Sequence, residues 1–254
     1  MDHPDVRRML LRMRSLTEAM RGLLYYTAGQ VDRGDIGDAA AKARAEVLVP
    51  MLKAWATDTG IEVASLGIQV HGGMGFVEET GAAQHYRDAR IAPIYEGTNG
   101  IQALDLAGRK LQRDGGAALS ALIDDVHKTA EALRGEASLA SMGSALAAGA
   151  DDLRAAMALV LEQGSDPEHG PDAVQAYATP LLNLAGHVLC AWQMGIAALH
   201  AQQAVDGGSD EPFYRAKLCS AEFAIHQWLP VGRAQRAVVE AGWQCFSQFD
   251  SAAH

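Results

Sequence analysis

An all-α fold, built as two linked helical bundles, is what this 254-residue sequence predicts. Three observations carry that expectation. Apolar residues recur at helical spacing through most of the chain. No strand-period alternation runs for more than a few residues. Aromatic residues make up 6% of the chain against 49% hydrophobic, and alanine is abundant, a balance that favours helix over sheet.

The first helix is expected over Val6 to Val31, where Val6, Met9, Leu10, Met13, Leu16, Met20, Leu23, Leu24, Thr27 and Val31 form a stripe. Asp2 or Asp5 is its expected cap, with Pro4 in the first turn. Residues 32–37 (DRGDIG) read as a turn. A second helical stretch runs from about Ala39 to Val70, kinked or interrupted at Pro50. The glycines of His71-Gly72-Gly73-Met74-Gly75-Phe76 break it, because glycine continues a helix poorly. A short helix follows, from about Glu79 to Ala89. Residues 91–97 are a connector marked by Pro93 and Gly97, and Thr98 caps a helix from Asn99 to about Arg113. Asp114-Gly115-Gly116 is the clearest internal boundary, dividing residues 1–113 from 114–254. Beyond it, helices are expected near 117–134, 139–163, 172–206 and 212–248, the last divided at Pro230.

The net charge of -10 argues against a nucleic-acid partner, which requires a basic face. It leaves room for a phosphate-bearing cofactor held by backbone amides. Cys190, Cys219 and Cys245 form no CxxC pair and suit a reducing, cytoplasmic setting as ordinary thiols. The N-terminus shows no basic segment followed by an apolar one, so no export signal is expected. The most apolar stretch, Thr179 to Ala201, carries Asn183, His187 and Gln193 and reads as a buried bundle helix, not a membrane span. The nine histidines show no metal-ligand spacing, and His71 and His85 lack the HExxH interval, so no metal is expected. The tryptophans at 192, 228 and 243 are expected to pack in a core.

Residues 69–111 are the most informative (QVHGGMGFVEETGAAQHYRDARIAPIYEGTNGIQALDLAGRKL). A Gln-x-x-Gly-Gly-x-Gly turn follows a helix, an Arg-Asp-x-x-Ile element comes next, and Ile-Tyr-Glu-Gly-Thr opens a further helix. The turn is no GxGxxG fingerprint and no strand precedes it, which rejects a Rossmann reading. In this order and spacing the segment resembles the C-terminal signature of the acyl-CoA dehydrogenase family. The resemblance extends upstream to about Pro4. Downstream of Asp114 the chain is similar to the extra helical domain of a long subgroup that includes 3-methylmercaptopropionyl-CoA dehydrogenases.

The resemblance implies FAD as cofactor, an acyl-CoA thioester as substrate, electron-transfer flavoprotein as oxidant and a homodimeric enzyme of fatty-acid metabolism. The family reaction takes a proton from the substrate α-carbon and a hydride from the β-carbon, the hydride going to flavin N5. Glu96 matches the family base. A weakly acidic α-proton needs a base that is positioned, dry and matched in pKa, and closure of a cleft around substrate raises a glutamate toward that match. Without the motif, Glu96 would read as a solvated turn residue ahead of a helix N-terminus. Thr98, Asn99 and Gly100 match flavin contacts, with free amides at the positive end of a helix; plain capping by Thr98 is compatible with that. Many relatives have glutamine where Gly100 stands. Gln69, Gly72 and Gly73 match the turn that holds the adenosine half of FAD, usually that of the neighbouring subunit; the alternative is a tight turn with no ligand. Tyr95 lines the acyl pocket or packs as a core tyrosine, and Gly97 lies against the thioester. Arg87 and Asp88 are expected to form an ion pair or caps, and Arg90 the same.

Against the family pattern, these 254 residues do not include an N-terminal helical domain, a central β-domain or the start of the C-terminal bundle, with an arginine that usually contacts the flavin pyrophosphate. The chain is expected to be an incomplete enzyme. A split-enzyme half or a non-catalytic helical interaction module is the alternative, motivated by apolar faces left uncovered. The DNA-associated branch of the superfamily is disfavoured by the acidic charge.

Overall fold

A computed structural model describes residues 3–166 and 168–244. Asp2 and Cys245 lie outside the described residues, as does the end of the last expected helix. Among the described residues the regular structure is all helical, with no strand.

Helix α1 (Pro4–Asp35) starts one residue after His3, whose ring accepts from the Asp5 amide, so the cap is His3 and not Asp5. Pro4 fills the first turn, where its missing N–H goes unneeded. The helix runs through residues 32–35, which read as a turn in the sequence. The Ile36-Gly37-Asp38 turn follows, and the Asp38 carboxylate caps α2 (Ala39–His71) by accepting from the Ala41 amide at 3.0 Å. Pro50 lies inside α2 without interrupting it. The two helices pair as a hairpin.

Only part of the predicted α1 stripe enters the core. Met9, Leu16, Leu23 and Thr27 are buried together with Ser15, Ala19 and Gln30. Leu24 and Val31 instead face an open apolar groove of about 510 Å³ between α1 and α2, which Met20, Val49 and Leu52 also line.

The α2 helix ends at Gly72, in a conformation (φ 62°, ψ -144°) that glycine adopts at no steric penalty. A single turn, α3 (Gly73–Phe76), follows. The helix expected over residues 79–89 is in fact a 3₁₀ turn at Glu78–Thr80 and α4 (Ala82–Ala89), separated by Gly81. The helix opened by Thr98 is α5 (Asn99–Leu104), which widens into a π segment (Asp105–Lys110) and ends as α6 (Leu111–Asp114). Gly115 and Gly116 turn the chain, and the Asp114 carboxylate caps the next helix by accepting from the Gly116 and Ala118 amides at 2.9 and 3.0 Å.

The second half comprises α7 (Ala117–Gly135), α8 (Ala140–Gly164), α9 (Gly170–Asp206), α10 (Pro212–Phe223), a π segment (Ala224–Trp228), α11 (Leu229–Arg233) and α12 (Gln235–Glu240). The last predicted stretch is thus interrupted ahead of Pro230, by the π segment, as well as after it. Helix α9 meets the length and hydropathy of a membrane span, yet 72% of its most apolar window is buried within the protein. It touches α1, α2 and α5 of the first half and α7, α8, α10, α11 and α12 of the second.

One apolar core crosses the turn at residues 114–116, joining Leu16, Leu48 and Leu106 to Leu122, Leu189 and Trp228. Buried aromatic donors bridge the halves. Trp228 donates to Ser15 Oγ at 3.3 Å and Trp55 to His187 Nδ1 at 3.0 Å. Tyr26 sits edge-on to Trp192 with ring centres 5.0 Å apart. An ion pair between Arg44 and Asp125 (2.7 Å) adds a polar tie. Trp192 and Trp228 are buried, and Trp243 packs partly buried against the core. Cys190 is buried and Cys219 exposed.

Candidate active site

The predicted site residues fall on two turns that flank α4. One lies at the end of α2, with Gln69 in the last helical turn and Gly72 and Gly73 just after it. The other joins α4 to α5 and carries Tyr95, Glu96 and Gly97, with Thr98, Asn99 and Gly100 at the helix start.

At the first turn, the Gly72 amide donates to Gln69 O at 3.1 Å and the Gly75 amide to Gly72 O at 2.9 Å. A Cβ at Gly72 or Gly73 would meet no atom within 4 Å, so the backbone there is open on its outer side. Gln69 is exposed beside it. The close approach is made instead by Gly75, which sequence reasoning left out of the site. A Cβ there would lie 2.2 Å from Ile68 O, so this glycine seats the one-turn helix α3 on α2.

The second turn is tightly specified. The Tyr95 amide donates to Ile91 O at 3.2 Å and the Asn99 amide to Pro93 O at 3.0 Å. Thr98 Oγ1 accepts from the Ile101 amide at 3.3 Å, the cap that the sequence predicts. The amide of Asn99 is therefore not free, contrary to the expectation of three open amides. Its side chain also turns inward: Asn99 Nδ2 lies 3.0 Å from both Ala54 O and Thr57 Oγ1, and Oδ1 accepts from Lys53 Nζ at 3.1 Å. Lys53 Nζ donates in addition to Gly97 O at 2.7 Å. Lys53 and Thr57 are one turn apart on α2, the spacing that lets both meet one partner.

Glu96 stands at the apex. Among the described residues it is the one non-glycine with positive φ, at 50°. A residue with a Cβ is rare in that region and costs about 1–3 kcal/mol there unless its surroundings hold it. Gly97 follows at φ 87°, its Cα against the side-chain amide of Gln102. Glu96 is exposed, and Tyr95, half exposed, is no core tyrosine. In this chain the Glu96 side chain is open to solvent. Asp58, further along α2, lies close to Asn99, Arg90 and Lys53. Partial desolvation holds its carboxyl above the usual carboxylate range, opposed by those three groups. Arg87 pairs with Glu78 at 2.8 Å, across the Gly81 break, and not with Asp88.

Sequence reasoning missed Lys53 and Thr57. The signal that marks them is spatial, since they meet Asn99 across more than forty residues.

The sequence matches two family descriptions in chain order: "Acyl-CoA dehydrogenase, C-terminal domain" over residues 1–111, and "Acetyl-CoA dehydrogenase C-terminal like" over residues 122–250. It is 46% identical to 3-methylmercaptopropionyl-CoA dehydrogenase of Ruegeria pomeroyi, over 89% of this chain and 39% of that protein. It is 32% identical to a butyryl-CoA dehydrogenase of Syntrophomonas wolfei, over 90% of this chain and 38% of that protein. The chain thus spans about two fifths of the length of these curated relatives. Its fold is similar to an acyl-CoA dehydrogenase of Bacillus anthracis crystallised with FAD, with a TM-score of 0.71 at 19% identity over 99% of this chain and 44% of the other. Two matched regions that together run nearly end to end, on an all-helical scaffold of the same shape, leave one assignment: the chain belongs to the acyl-CoA dehydrogenase family and carries its C-terminal helical part.

Proposed function

We propose that this chain is the base-bearing, FAD-binding part of a flavin-dependent acyl-CoA dehydrogenase, with Glu96 as the residue that takes the substrate α-proton. The observation that carries the reading is the strained Glu96 backbone, held at the apex of a clamped turn in the segment that bears the family motif. Strain of this kind persists where the surroundings over-determine it, and such positions cluster at functional sites.

The chain's residues fit the cofactor. Gly72 and Gly73 leave their backbone open to a flat or phosphate-bearing group, with Gln69 alongside. Thr98 and Gly100, at the positive end of a helix, suit a phosphate. The chemistry FAD supplies is acceptance of the hydride from the substrate β-carbon. The rest belongs to the protein. The Glu96 carboxylate accepts the α-proton, an O–H bond forms as the C–H bond breaks, and the electron pair delocalises toward the thioester oxygen, where hydrogen-bond donors stabilise it. Gly97 is assigned to the thioester by the family motif, with Gln102 filling the space where a side chain would stand, and Tyr95 offers a ring face to the acyl chain. Bound acyl-CoA displaces water from the turn and so gives the base the water-poor setting it needs.

Electron-transfer flavoprotein as oxidant, a homodimer and a cytoplasmic setting complete the proposal, by analogy with the family. The test is Glu96→Gln in the FAD-loaded enzyme. Bleaching of the flavin by acyl-CoA is expected to slow by about 10²–10⁴-fold, with FAD affinity measured by fluorescence titration unchanged. An equal bleaching rate in the variant removes the base assignment.

The open α1–α2 groove favours a second reading, a helical module that completes a larger assembly. In that case the chain co-purifies with a partner, and Glu96→Gln changes nothing in the complex.

A further inference from the structure

From the contacts at the second turn we infer that Lys53 is the positioning residue of the Glu96 turn, an α2 side chain that fixes the backbone carrying the base. The inference rests on the reading of Glu96 as the base.

Glu96 sits in a backbone region that an L-residue leaves unless it is held. The restraints local to the connector are backbone hydrogen bonds, from Tyr95 to Ile91 on the N-terminal side of Glu96 and from Asn99, beyond it, back to Pro93. They shape the loop but do not tie it to the body of the protein. The tie comes from α2. The Lys53 ammonium donates to the carbonyl of Gly97, the residue after the base, at 2.7 Å. The same ammonium donates to Asn99 Oδ1 at 3.1 Å. Thr57 and the Ala54 carbonyl hold the other face of the Asn99 side chain. Both ends of the Gly97–Asn99 segment are therefore pinned to one turn of a long helix.

A lysine suits this task. Its three donors are free to rotate, so one head group serves a carbonyl and an amide oxygen together. It is partly buried, which strengthens each charge-assisted bond relative to a solvated one. Its stem lies along the wall of the α1–α2 groove, beside Ala56 and Leu52. Proton abstraction depends on the base standing within hydrogen-bond reach of the α-carbon, and a displacement of about 1 Å costs on the order of 10²-fold in rate. An anchor three residues or fewer from the base controls that distance without touching the substrate.

The test uses the whole chain with Lys53→Met, which keeps the stem and removes the donors, and Lys53→Arg, which restores a cationic donor. Circular dichroism first establishes that each variant is folded. Amide hydrogen exchange at Asn99 is the first readout. In Lys53→Met it is expected to quicken by about ten-fold, with amides of α8 and α9 unchanged, and Lys53→Arg is expected to recover much of the protection. The second readout is flavin bleaching by acyl-CoA in the FAD-loaded enzyme. There the limiting rate is expected to fall by about 10²-fold in Lys53→Met, while the acyl-CoA concentration for half-saturation moves by less than about two-fold. Should Lys53→Met fail to fold, Asn99→Ala removes the Oδ1 half of the clamp from the loop side and is read by exchange at the amides of Tyr95 and residue 99, which donate to Ile91 O and Pro93 O.

Unchanged exchange at Asn99 in a folded Lys53→Met protein overturns the anchor whatever the activity. Faster exchange with an unchanged bleaching rate overturns the positioning role. If Glu96→Gln has no effect in the same assay, the base reading falls by itself, and exchange at Asn99 still decides whether Lys53 holds the turn.

Discussion

Protonation of His187 keeps one of the two contacts of its Nδ1 and loses the other. Its Nδ1 lies 3.0 Å from the indole N–H of Trp55 and 2.8 Å from Asn183 O. A neutral ring accepts from Trp55 or donates to Asn183; an imidazolium has no lone pair and loses Trp55 altogether. Desolvation between the Trp55 and Trp228 rings holds the pKa below the ordinary 6.5, while Asn183 and Glu62 pull it up and Arg12 down. Arg12 and Glu62 pair with each other, so their effects largely cancel. The unfolded chain therefore binds a proton that the folded chain refuses as pH falls below 6.5. His187 leaves stability untouched above that value and subtracts from it progressively below. The expected outcome is a thermal midpoint that drops from about pH 7.5 to about pH 5.5, with a clearly smaller drop in His187→Gln. Equal pH dependence in the two proteins refutes the role given to this ring.

At the scale of elements, the long helices were legible because their apolar spacing is strong. Their exact ends were not, because a cap such as His3 replaces the favoured aspartate through one ring nitrogen. The two π segments were invisible. An inserted residue in a helix answers to its neighbours in space, and Lys110 or Trp228 must be seen packed before the widening makes sense. The candidate site divides in the same way. Glu96, Gly97 and the Gly72–Gly73 turn stand in one contiguous motif, whereas Lys53, Thr57 and Asn99 form their cluster only when α2 meets α5. Gly75 shows how much a single element depends on such contact. A Cβ there would lie 2.2 Å from Ile68 O, closer than a methyl can approach, so Gly75→Ala must push α3 away from α2. Denaturant unfolding is expected to show a loss of about 1–3 kcal/mol. Gly73→Ala, at a position open to solvent, is the control and should shift stability by no more than about 0.5 kcal/mol. Equal effects of the two substitutions would contradict the packing described.

For the molecule as a whole, two family descriptions meet near residues 111–122, yet the structure does not part there. Helix α9 from the second half lies against α1, α2 and α5 of the first, and the aromatic contacts Trp55–His187, Tyr26–Trp192 and Ser15–Trp228 all cross the divide. Separate domains would each close their own core and meet through a smaller, more polar interface. Here Trp228 is fully buried with its hydrogen-bond partner on α1, so unfolding either half strands an indole of the other in water. Burying one such large apolar side chain contributes about 1.5–3 kcal/mol, and net stabilities of about 5–15 kcal/mol leave neither half able to forgo several. The chain should therefore unfold in a single step. Tryptophan fluorescence, which reports on Trp55, Trp192 and Trp228 at the seam and on Trp243, and far-ultraviolet circular dichroism, which reports on every helix, are expected to give superimposable transitions in denaturant. A fluorescence change completed while much of the helix signal persists would show that the seam opens first and that the halves hold their shape apart.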